Sequence, residues 1–140
     1  MARANLGDVE IFYEGHGEGP PLFLVSGLGG AAAYWTPNLP ALSERYRVIT
    51  HDHRGAGQSS HSKIAYSVDQ MTDDLVRLMD HLRIERAHVL GHSTGGAIGQ
   101  TLAVTHPERL ASLVIYASWT RADPFFRRLF EARKTLLTDR

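Results

Sequence analysis

One serine in this chain stands in a setting that suits nucleophilic chemistry. Residues 89–96 read VLGHSTGG, so Ser93 lies between Gly91 and Gly95 in the pattern G-x-S-x-G, with an apolar run before it and a helix-forming run after it. A strand that passes into a helix through so tight a turn forces its tip residue into a strained conformation and leaves the side chain standing clear of the backbone. A hydroxyl held this way can attack a carbonyl carbon and carry a covalent acyl group. The oxygen of that carbonyl then needs donors for its developing charge. Thr94 N–H, at the start of the following helix, is one; Leu28 N–H, in the glycine-rich SGLGG at 26–30, is the other. The competing reading is a serine that only caps the next helix, with glycines chosen for the turn.

The elements that must position these groups follow from the hydrophobic pattern. VEIFYEG at 9–15 is a strand closed by GHGEGPP, and LFLVSG at 22–27 is a continuous apolar run, the mark of a strand covered on both faces. YRVITHD, AHVLGHS and LASLVIYAS are three further strands. Between them, TPNLPALSERY can form a short helix with Thr36 as cap and Pro37 at its first position. SVDQMTDDLVRLMDHL opens with a capping box, Ser67 and Gln70, and places Val68, Met71, Leu75, Leu78, Met79 and Leu82 on one face. Its Asp69, Asp73 and Asp74 suit the positive end of the helix dipole better than they suit chemistry. TGGAIGQTLAVTHP is a helix that stops before Pro107.

Strands and helices alternate, which predicts an α/β fold: an open, mostly parallel sheet with helices on both faces and chemistry at the C-terminal ends of the strands. Three loops leave such ends, at 26–30, 51–60 and 91–96. The closing tract WTRADPFFRRLFEARKTLLTDR is a basic amphipathic helix whose stripe runs through 125, 126, 129, 130, 133, 136 and 137, with the Arg133 stem as the apolar part of that residue.

GLGG at 27–30, DHRGAGQS at 52–59, GHSTGG at 91–96 and HPERLASLVI at 106–115 together resemble the first half of an α/β-hydrolase. Within that superfamily the chain is most similar to the aminoacrylate hydrolases of pyrimidine utilisation and the 3-oxoadipate enol-lactonases, through GLGGAAAYW and WTRADPFFRRLFEAR. The resemblance implies a truncated α/β-hydrolase fold, with residues 1–118 forming the N-terminal part of the core domain and 119–140 the start of a helical cap. It implies Ser93 as nucleophile, Leu28 and Thr94 as oxyanion donors, and His92 as a pocket residue. Gly27, Gly91, Gly95, Asp52 and Arg54 would support the elbow and its loops, with Asp52 structural and not the triad acid.

In such hydrolases the triad follows the chain order serine, acid, histidine. After Ser93 the only histidine is His106, at the far end of the next helix and so about 20 Å away at roughly 1.5 Å per residue. Asp123 and Asp139 fall in the terminal helical tract, without a loop to orient them. His51 and His53 emerge from a strand end with no relaying carboxylate, and His92, next to the serine in sequence, lacks the geometry of a base. The triad acid and histidine are therefore expected to be missing from these 140 residues.

Composition narrows the rest. At 43% hydrophobic the chain can bury one core, and fifteen basic against fifteen acidic side chains give no field that would draw a nucleic acid or an anionic membrane. With no cysteine there is no disulfide or thiolate chemistry, which fits a cytoplasmic protein. The eight histidines show no metal-ligand spacing, so neither metal nor other cofactor is expected. The function expected is a serine hydrolase acting on a small ester, lactone or amide-like substrate. The alternatives are an inactive fragment or binding module that keeps half the fold, and one part of an enzyme completed by a second chain. An unprotected edge strand at LASLVIYAS and the stripe of the terminal helix would offer surfaces for self-association.

Overall fold

The computed structural model describes residues 2–138. Its elements, in order, are β1 (Ala2–Asn5), β2 (Glu10–His16), β3 (Pro21–Val25), α1 (Leu39–Ser43), β4 (Arg47–His51), α2 (Val68–His81), β5 (Ala87–His92), α3 (Thr94–Thr105), β6 (Leu110–Tyr116) and α4 (Pro124–Thr138). The strands form one sheet in the order β1-β2-β4-β3-β5-β6. β1, β2 and β4 pair antiparallel, whereas β4, β3, β5 and β6 run parallel. The apolar run of β3 sits inside the parallel part, and Phe23, Leu24 and Val25 are fully buried. A strand hydrophobic at every position has no solvent face to offer, so it belongs where helices cover both sides.

They do so here. On one face α2 and α3 bring Leu75, Leu78, Met79, Ile98 and Leu102 against Phe23, Val25, Ile49 and Val89. On the other, Trp35, Leu39 and Leu42 pack on Leu22, Leu24 and Val48. Each large apolar side chain buried this way stabilises the fold by about 1.5–3 kcal/mol before entropy is charged against it. β5 enters α3 at Ser93 between these layers, so the elbow is anchored in both.

Three local readings change. The segment expected to be one helix capped by Thr36 is instead a 3-10 helix over Ala32–Asn38 followed by α1. Thr36 lies inside the first of these and donates to the Ala33 carbonyl oxygen at 2.9 Å, so it is no cap. Ser67 does cap α2, accepting from Gln70 N–H at 3.0 Å, but the Gln70 side chain turns to Asp74 at 3.5 Å, leaving the capping box half made. β1 was not foreseen. It buries only Ala4 and pairs with β2 along the edge. Among the described residues, no helix is long and apolar enough to cross a membrane.

Candidate active site

Ser93 adopts φ 54° and ψ −118°, a conformation that costs a non-glycine residue about 1–3 kcal/mol. Its neighbours must be small for the turn to close. A Cβ on Gly91 would overlap the Gly95 carbonyl, and a Cβ on Gly95 would overlap the Val25 carbonyl oxygen. The Ser93 hydroxyl makes no capping hydrogen bond to α3, which removes the reading of this serine as a helix cap. The turn is instead held through its main chain: Ser93 N–H donates to the Tyr116 carbonyl at 3.0 Å, and the Ser118 hydroxyl donates to the Ser93 carbonyl at 2.6 Å.

The Ser93 side chain lines a cleft of about 410 Å³ with Gly27, Leu28, Gly29, Tyr34, His92 and Arg133. Gly27 is close enough that a Cβ there would sit 3.1 Å from Ser93 Cβ. Among the described residues, neither Leu28 N–H nor Thr94 N–H has an acceptor within the protein. An amide free in this way at a helix start, and another in a loop facing the same serine, can donate to an oxyanion. His92 does line the cleft. Its ring stacks on Tyr34 at 4.9 Å between centroids and packs against Tyr116 at 5.4 Å. Its Nδ1 is buried without a partner.

The loop after β4 builds the floor beneath the 26–30 loop. The Asp52 carboxylate accepts from Ala32 N–H and from Gln58 N–H, each at 2.7 Å, so one side chain ties both loops together. A Cβ on Gly57 would strike that carboxylate, which fixes glycine there. Arg54 contributes separately. Its Nε and Nη2 grip Asp74 at 2.8 and 2.6 Å, and its Nη1 reaches Asp8 at 2.7 Å. Asp74 is buried, so its place in the acidic first half of α2 concealed a structural ion pair that dipole reasoning alone does not reveal.

His53 is the supporting residue that sequence reasoning missed. It is buried, and its Nε2 donates to the Ser26 carbonyl at 2.9 Å, while its own N–H donates to the Gly30 carbonyl at 3.0 Å. A carbonyl only accepts, so the proton is on Nε2. Burial holds this imidazole below its ordinary range, opposed by the bond to Ser26 and the charges of Asp74 and Asp52. His51, fully enclosed beside it, is pushed down to about 3 by burial and then by the His53 ring. Both stay neutral, and no histidine hydrogen-bonds to the Ser93 hydroxyl among the described residues. His106 closes the far end of α3 with Nδ1 on the Thr105 hydroxyl. Asp123 accepts from Phe126 N–H at 2.7 Å and so caps α4, whereas Asp139 lies outside the described residues.

Known proteins resemble this chain in sequence and in fold. A protein of Azorhizobium caulinodans named "Putative carbamate hydrolase RutD" is 45% identical over 137 residues, which is 98% of this chain and 52% of that protein. A protein of the same name from Caulobacter vibrioides is 45% identical over 99% of this chain and 54% of its own length. The chain thus spans about half the length of the curated relatives it matches. The crystal structure of the enol-lactonase from Burkholderia xenovorans LB400 superposes with a TM-score of 0.84 at 33% identity, over 94% of this chain and 54% of that one. The family model described as the alpha/beta hydrolase fold matches residues 20–136. With the sheet order, the elbow and these matches in agreement, the chain belongs to the α/β-hydrolase family.

Proposed function

We propose that Ser93 is the nucleophile of a serine hydrolase that acts by acyl transfer on a small ester, lactone or amide-like bond. The single observation that carries this reading is the strained Ser93, whose hydroxyl caps nothing and lines a cleft. The serine oxygen adds to the substrate carbonyl to give a tetrahedral oxyanion, which collapses as the leaving group departs with the proton the serine gives up; water then adds to the acyl-serine, and a second collapse releases the acid and restores the hydroxyl. Leu28 N–H and Thr94 N–H hold the oxyanion of each tetrahedral adduct; losing one such donor costs about 3–4 kcal/mol of transition-state stabilisation. Gly27, Gly91 and Gly95 give the turn its room, and Asp52, Arg54 and His53 hold the loops. The relatives' name adds carbamates, which are amide-like, to the candidate substrates.

Residues 1–118 would form the first part of the core and 119–140 the start of its cap. In this reading the acid and the histidine come from a further segment that completes the sheet. β6 is the open edge for it, with Val114, Ile115 and Tyr116 each about half exposed. A chain with the nucleophile but no base should acylate slowly and then stall. Intact-mass analysis after exposure to p-nitrophenyl acetate tests this: one acetyl adduct accumulates on the wild type and none on S93A. Equal acetylation of the two would refute it.

A second reading, completion by a separate chain, draws on the same exposed β6. It predicts that hydrolysis appears only when a complementary chain carrying an acid and a histidine is added.

A further inference from the structure

The glycine-rich loop over Ser93 has no anchor of its own in the middle. Gly27 and Gly29 carry no side chain, Gly29 turns through a positive φ of 68°, and Leu28 is 65% exposed. Among the described residues, the N–H groups of Gly27, Leu28 and Gly29 donate to no protein acceptor. The direction of the Leu28 N–H is therefore set from the two ends of the loop, Ser26 and Gly30. A peptide unit is planar, so fixing the Ser26 oxygen fixes the plane that leads into Gly27. Only the two soft angles at Gly27 then separate that plane from the Leu28 amide, and glycine left to itself leaves both wide open.

One residue grips both ends. The His53 ring donates through Nε2 to the Ser26 carbonyl at 2.9 Å, and the His53 main-chain N–H donates to the Gly30 carbonyl at 3.0 Å. The fit is close: a Cβ on Gly30 would come within 2.5 Å of Ser26 Cβ and 2.8 Å of His53 Cδ2. His53 is 3% exposed, so water does not compete for these bonds. Its chain neighbour Asp52 acts further along, on Ala32 N–H, and the Ser26 hydroxyl reaches the Ala31 carbonyl at 3.1 Å. Neither of these touches the Ser26 oxygen.

We infer that His53 is a positioning residue for acyl transfer: its Nε2–H, seated on the Ser26 carbonyl, aims the Leu28 amide at the oxyanion, so losing this donor slows acylation of Ser93 while ester binding stays. The inference rests on the proposed reading in taking Ser93 as the nucleophile and Leu28 N–H as an oxyanion donor. Variants of the full chain separate the donor from the bulk of the ring. A glutamine can bring an amide donor to the place of Nε2, an asparagine is a methylene too short, and a methionine fills the space with no donor. Acetyl transfer from p-nitrophenyl acetate to Ser93, followed by intact mass over a range of ester concentrations, should slow about ten- to hundredfold in H53N and H53M, the cost of a group displaced by about 1 Å. H53Q, which restores the donor, should recover most of that rate, and the half-saturating ester concentration should be the same in every variant. The loop gives a second readout that needs no reaction. In S93A/H53N the Gly27, Leu28 and Gly29 amide resonances should shift and their nitrogen-15 order parameters fall relative to S93A, whereas S93A/H53Q should keep them. Wild-type rates in H53N and H53M, a loss in H53Q as deep as theirs, or an unchanged loop in S93A/H53N would overturn the assignment. Equal acetylation of wild type and S93A would instead sink the nucleophile, and the loop resonances would still decide whether His53 holds Leu28.

Discussion

The Ser118 hydroxyl donates to the Ser93 carbonyl oxygen at 2.6 Å, so the loop that leaves β6 clamps the turn that leaves β5. Tyr116 grips the same residue through its own carbonyl, and Ala117, between the two, takes a positive φ of 47° to let both reach. Two strained residues therefore face each other across the top of the sheet.

Removing one side of that clamp should loosen the elbow without touching the serine hydroxyl. S118A should lose about 1 kcal/mol of stability, the usual net worth of a hydrogen bond. It should also slow labelling of Ser93. Urea denaturation and labelling rates, measured side by side, check both parts; unchanged values would mean that the clamp does nothing.

The strain at Ser93 itself has a measurable sign. Glycine accepts φ 54° without a Cβ clash, so S93G should be more stable than the wild type by about 1 kcal/mol while losing all reaction with an acylating reagent. A destabilised S93G would show that the serine side chain supports the fold and that the strain is not stored there.

The Arg54–Asp74 pair is buried and bidentate, and breaking such a pair strands a charge. D74N should cost about 3–5 kcal/mol. R54K should also destabilise, because an ammonium cannot match both carboxylate oxygens and still reach Asp8. Thermal unfolding reads both, and a D74N protein within 1 kcal/mol of wild type, roughly the worth of a surface pair, would contradict the assignment.

Acid should weaken the fold through His51 and His53. The unfolded rings titrate near pH 6.5, roughly their free value, whereas His51 in the folded chain is held down to about 3. Above that upper value both states are neutral and pH has no leverage. Below it the unfolded chain takes up a proton that the folded chain refuses at His51, so stability falls by up to about 1.4 kcal/mol per pH unit through that ring. His53 is shifted in the same direction. Urea midpoints between neutral pH and pH 5 should therefore decline, and H51Q should flatten the slope whatever it does to the baseline.

The residues show why some of this was legible and some was not. β3 could be read because an uninterrupted apolar run has one home in such a fold, and α2 because Leu75, Leu78 and Met79 recur at helical spacing. The Ser93 elbow was legible because its glycines are dictated by neighbours close in sequence, Gly91 against Gly95 above all. The pairing of Arg54 with Asp74 was not, since the partners are 20 residues apart and an acidic helix start already has a sufficient local explanation. The grip of His53 on the Ser26 carbonyl spans 27 residues and leaves no local trace. β1 escaped for a different reason: ARAN is short and polar, and what makes it a strand is the edge of β2 that it pairs with. Arg133 was read through its stem as part of an apolar stripe; only the fold brings its head group to the Ser93 cleft.

Site-mapped labelling with a fluorophosphonate puts the central claim to the most direct test. After brief exposure and proteolysis, peptide mass spectrometry should find the adduct on Ser93 in preference to Ser26, Ser59, Ser67 and Ser118, and S93A should remain unmodified under the same conditions. An adduct spread evenly over the serines, or one that persists in S93A, would contradict Ser93 as the nucleophile.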